Sequence, residues 1–137
     1  MVVPEGSLMQ MWVNPTAAPF DDPKVRRALF LAIDRNAACK TVYGEDSGSP
    51  GTFFGPGYIE ILSELPNVPG YRANKQEDLY EAKNLLAEAG YPDGHKIDLN
   101  ATNRGSTLRL TEAVTAQLRK DVGIELTLVS TDLPSYY

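Results

Sequence analysis

Between Ile97 and Val129 the chain passes through two alternating segments separated by one helical stretch, and this pattern constrains the fold more than any other feature. Ile97, Leu99 and Ala101 alternate with Asp98, Asn100 and Thr102, as in a strand with one buried and one polar face. In the last segment Ile124, Leu126 and Leu128 face one way, and Glu125, Thr127 and Val129 the other. Between them Leu110, Val114 and Leu118 line one side of a helix expected from about Thr107 to Asp121, closed by Gly123. A strand–helix–strand run of this length suits a right-handed crossover between parallel strands. The expected fold class is α/β, a small mixed sheet flanked by helices.

The first half carries its own signals. SLMQMWVN, residues 7 to 14, is apolar on both faces and reads as a strand covered on both sides, stopped by Asn14-Pro15. Trp12 falls inside it, as core or as a surface for stacking on a ligand. Asp21 or Asp22 is a natural N-cap, and Pro23 suits a first helical turn, where its missing N–H needs no partner. Val25, Ala28, Leu29, Ala32 and Ile33 then form one apolar stripe of a helix expected to end near Tyr43, with Gly44 as its terminator. Residues 44–73 hold most of the turn-forming glycines and prolines and read as a long irregular loop. Phe53, Phe54, Tyr58 and Tyr71 lie in it, to cover a core or line a cleft. A further helix follows, with Leu79, Ala82, Leu85, Leu86 and Ala89 on its apolar face and Gly90 after it. Its start is set by the capping-box spacing of either Asp78 with Glu81 or Asn74 with Glu77.

At 137 residues the chain is sized for a single domain, 1–137. Its net charge of −5 lacks the basic footprint of a nucleic-acid binder. No apolar run approaches the roughly 20 residues that span a bilayer. One cysteine, Cys39, and one histidine, His95, exclude an internal disulfide, a Cys-based zinc site and a His-pair metal motif. No nucleophile elbow, HExxH or Walker sequence is present, so neither an enzyme nor a cofactor is expected. The opening MVVPEGSLMQ lacks a basic region followed by an apolar core, so this chain shows no secretory leader. It reads as a cytoplasmic protein or as an expressed piece of a longer secreted one.

Two residues stand out as ligand contacts. Arg104 and Asn103 lie in the loop Thr102–Ser106, after a strand and before a helix, where open α/β sheets take their ligands. An Arg there offers a two-pronged grip on a carboxylate. The alternative is a pair of solvated loop residues. Asp21 and Asp22 read as helix caps, Arg35 as half of a structural ion pair, and His95 as an exposed turn residue.

Three stretches resemble one family. PFDDPKVRRALFLAIDR (Pro19 to Arg35), EAKNLLAEAGYPDG (Glu81 to Gly94) and AVTAQLRKDVGIELTLVSTD (Ala113 to Asp132) are similar, in order and spacing, to family 5 extracellular solute-binding proteins. These are the peptide- and nickel-binding receptors of ABC importers. The chain departs from the pattern at Leu133, where the family often has Trp, at Cys39 and at Lys75–Leu79.

The resemblance implies a two-lobed periplasmic-binding-protein-like fold with ligand trapped between lobes, of which this chain is a fragment of the second lobe. It implies capture of a solute, a peptide ahead of nickel, haem-type and sugar ligands, with ABC transporter membrane subunits as partners. It implies a periplasmic or extracellular parent, a membrane-anchored lipoprotein being one form. In peptide-binding relatives a loop similar to Thr102–Ser106 supplies an Arg to the ligand. A second hypothesis is the ligand sensor of a transcription regulator, and a third a small enzyme. Cutting the lobe from its neighbours would expose sheet edges, so the isolated fragment is expected to form a homo-oligomer.

Overall fold

A computed structural model describes residues 10–44, 64–102 and 105–131. Helix α1 spans Pro23–Ala32 and α2 Arg35–Tyr43. A 3-10 turn occupies Leu65–Asn67. Helix α3 runs over Gln76–Glu88, strand β1 over Lys96–Thr102, helix α4 over Gly105–Val122 and strand β2 over Glu125–Thr131.

Strands β1 and β2 pair in parallel, Lys96 opposite Glu125 through Thr102 opposite Thr131, with α4 as the crossover. The α/β class holds, and among the described residues the sheet is parallel rather than mixed. Gly94 and Gly123, both at positive φ, precede the two strands. A Cβ at Gly94 would lie only 2.0 Å from the carbonyl oxygen of Gly123, so the two chains enter the sheet at backbone contact. The Glu125 N–H then donates to the His95 carbonyl at 2.9 Å and starts the ladder.

The first helix begins as its sequence dictates. Asp22 accepts from the Lys24 N–H at 2.7 Å, and Pro23 occupies the first turn. The expected single helix to Tyr43 is instead two. Ile33 and Asp34 are extended, and the Asp34 carboxylate caps α2 by accepting from the Ala37 N–H at 2.9 Å. Gln117 of α4 fills the gap from across the core. Its side-chain oxygen accepts from the Asp34 N–H and its amide donates to the Asp34 carbonyl, both at 3.1 Å. The break therefore leaves neither of these backbone groups without a partner.

Helix α3 starts at Gln76, with Asn74 Oδ1 accepting from its N–H at 3.1 Å. Its end is a Schellman motif. The Tyr91 N–H reaches the Leu86 carbonyl, and the Gly90 N–H the Ala87 carbonyl. The core joins Val25, Leu29 and Leu31 of α1 to Ala82 and Leu86 of α3, Leu118 of α4, and Ile97, Ile124 and Leu126 at the sheet. Leu31 lies off the expected stripe yet is fully buried. Helix α1 is thus covered on more than one side.

The expected strand at residues 7 to 14 is not found where it can be seen. Residues 10–14 form no strand, and Trp12 is 80% exposed rather than core. An apolar alternation identifies a strand only if a neighbour supplies the ladder, and no described strand lies beside it. In the long loop, residues 45–63, with Phe53, Phe54 and Tyr58, lie outside the described residues.

Candidate functional site

Arg104 and Asn103 lie outside the described residues. Strand β1 ends at Thr102, and α4 begins at Gly105. Parallel pairing brings the carboxyl end of β2 beside that of β1, so the β1–α4 connection leaves the sheet where both strands end. The first amides of α4, without intrahelical partners, give that end a partial positive charge.

The motif-like charged residues of the first half are used inside the fold. Asp22 caps α1, and Asp21 accepts from the Asp22 N–H at 3.1 Å. Arg35 forms no ion pair among the described residues. Its guanidinium lies over the rings of Phe30 and Tyr71, 4.4 and 4.6 Å from their centroids, and the two rings meet edge to face. Nη1 donates to three carbonyls, of Phe30, Ile33 and Gly70, the last at 2.6 Å. Burial lowers its pKa, with the charges of Tyr71, Asp78 and Asp34 opposing that shift. Arg35 thus ties the α1–α2 break to the returning arm of the long connection.

Asp78 completes the clamp. Read from sequence as a helix cap, it is fully buried. Its carboxylate accepts from the Gly70 N–H at 2.9 Å, from Arg72 at 2.9 Å and from Lys75 at 3.0 Å. A buried carboxylate is tolerated only with its acceptor sites filled and its charge matched. Asp78 is the residue that sequence reasoning misplaced. Its partners Gly70, Arg72 and Lys75 all precede the helix, so no helical spacing marked them.

His95 is exposed as expected, its ring 4.7 Å from that of Tyr91. Cys39 is half-buried, and burial pushes its thiol pKa up, away from thiolate chemistry. Among the described residues no group of three or more His, Cys, Asp or Glu is placed to hold a metal ion. No helix there is long and apolar enough to cross a membrane.

Comparison with known proteins decides the family. The model of bacterial extracellular solute-binding proteins, family 5 Middle, matches residues 2–137. The chain belongs to this family. Family 5 proteins are the non-catalytic, solute-binding components of ABC importers. The glutathione-binding protein GsiB of Salmonella choleraesuis (strain SC-B67) is 33% identical over 133 residues, 96% of this chain and 24% of that protein. GsiB of Escherichia coli (strain K12) is 34% identical over 128 residues, 92% of this chain and 23% of that protein. The chain thus spans about a quarter of the length of the curated relatives it matches. Among solved structures, Haemophilus influenzae OppA in complex with RPPGFSPFR superposes with a TM-score of 0.74 at 26% identity, covering 90% of this chain and 25% of that one. The unliganded open form of MppA, a periplasmic murein tripeptide binding protein, has the same TM-score at 23% identity, covering 90% and 24%, and supports the fold alone.

Proposed function

We propose that the chain forms part of the second lobe of a solute-binding protein that captures peptides for an ABC importer, in the periplasm or at the extracellular face. The observation that carries this reading is the family match over residues 2–137, joined to relatives named for glutathione and for peptide ligands. Ligand is held by closure of two lobes about a hinge, with the peptide backbone hydrogen-bonded and its side chains in a wet cavity. No bond is made or broken.

Within the cleft, Arg104 and Asn103 contact the ligand, and Arg104 pairs with its terminal carboxylate. Three features support this assignment. The connection follows a strand held in register by seven parallel residue pairs. It precedes the N-terminus of an 18-residue helix, which favours an anion. Arg is the side chain whose fork best matches a carboxylate.

Calorimetry tests the reading. The whole polypeptide encoded with this chain is titrated with glutathione, di- to pentapeptides, nickel and sugars. Micromolar affinity, about −8 kcal/mol, is expected for peptides alone. The 137-residue chain by itself should bind none of them more tightly than about 1 mM, because it contributes one side of the cleft. Binding of nickel or sugar in place of every peptide overturns the assignment.

A further inference from the structure

Between α1 and α2, side chains take over backbone groups that a helix would pair with one another. In an unbroken helix the N–H groups of Asp34, Arg35, Asn36 and Ala37 would donate to the carbonyls of Phe30, Leu31, Ala32 and Ile33, four residues back. None of those bonds is made. The Asp34 N–H donates to Gln117 at 3.1 Å and the Ala37 N–H to the Asp34 carboxylate at 2.9 Å. The carbonyls of Phe30 and Ile33 accept instead from Arg35 Nη1, at 3.1 and 3.3 Å. The Arg35 and Asn36 N–H groups have no acceptor among the described residues.

Locally, a continuous helix would satisfy more of this backbone than the break does. Nothing in residues 33–36 forbids one, since none is Gly or Pro. What selects the break comes largely from elsewhere in the fold. Gln117 belongs to α4, and its amide also donates to the Asp34 carbonyl at 3.1 Å. Arg35 Nη1 donates to the Gly70 carbonyl at 2.6 Å, so its grip on the freed carbonyls is tied to the arm at residue 70. Ala38 and Val42 are buried, and one straight helix would turn them off the face that α1 buries.

We propose that the α1–α2 junction is a two-state conformational switch. It stays broken while Gln117, Arg35 and the Asp34 cap all hold it, and closes into one continuous helix when any of the three is withdrawn. Ile33 and Asp34, now extended, become helical in the closed state. The positions of α4 and of residue 70 are coupled through the junction, because each supplies a contact that only the broken state makes.

Hydrogen exchange resolved to single amides, on the whole encoded polypeptide, tests the switch. Gln117→Met and, independently, Arg35→Met keep an unbranched side chain and remove its hydrogen bonds. Asp34→Ala removes the cap and places a strong helix former at the break; as the mildest change it decides the matter where either of the others does not fold. In each variant the Asn36 N–H should gain at least about tenfold protection as it acquires the Ala32 carbonyl. A role confined to stability would move protection the other way, because hydrogen bonds have only been removed. Unchanged exchange in α3 and β1 confirms that a variant is folded. Asn36 protection that is unchanged or lower in every folded variant overturns the proposal.

Discussion

Asp78 shows how much one side chain can hold together. Its carboxylate gathers Arg72, Lys75 and the Gly70 N–H at one fully buried point. Truncation removes the acceptor and strands two cations and an amide in a poorly hydrated place. Asp78→Ala should therefore destabilise the chain by about 3 kcal/mol, at the lower end for breaking a buried ion pair because Arg72 keeps some solvent access. Asp22→Ala, which removes an exposed cap, should cost about 1 kcal/mol. Urea denaturation of the two variants side by side checks the ranking, and equal losses would mean that Asp78 is no more than a helix-terminal acid. Asp22 and Pro23 could be read from sequence because a cap acts on amides two residues away. Asp78 could not, because its partners are fixed by the fold of residues 70–75 and not by helical spacing.

At the level of elements, the apolar periods located the α-helical stretches and both strands among the described residues, but not every boundary, nor the 3-10 turn at Leu65–Asn67. Ala38 and Val42, the buried residues of α2, fall out of phase with the stripe from Val25 to Ile33, but with no Gly or Pro before Gly44 the stretch still reads as one helix. The break depends on Asp34 as a cap and on Gln117, 83 residues away, which no local pattern contains. Helix α4 likewise begins at Gly105, two residues before its expected start. The tightest junction is between β1 and β2. Gly94→Ala introduces a Cβ at positive φ against the Gly123 backbone and should cost about 3 kcal/mol, the upper range for such strain. Gly90 also has positive φ, but nothing lies within 4 Å of a Cβ there. Gly90→Ala should cost only about 1 kcal/mol, the backbone term alone. Thermal denaturation of both separates backbone strain from collision, and a loss at Gly94 no larger than at Gly90 would argue against close strand entry.

On the scale of the whole molecule, the sequence made the family and the crossover legible, because three motifs and two periods span most of the chain. The candidate site was legible only as a position. The β1–α4 connection could be placed at the carboxyl end of a strand, yet the grip proposed for it needs an opposing lobe, and the chain covers only about a quarter of its relatives' length. The central claim is that this connection holds a peptide carboxylate through Arg104. The most direct test is calorimetry of the whole encoded polypeptide, wild type and Arg104→Ala, with one peptide as free acid and as C-terminal amide. The substitution should weaken the free acid by about 1.5–3 kcal/mol and leave the amide nearly unchanged. Equal losses for both forms, or none for either, would contradict the claim.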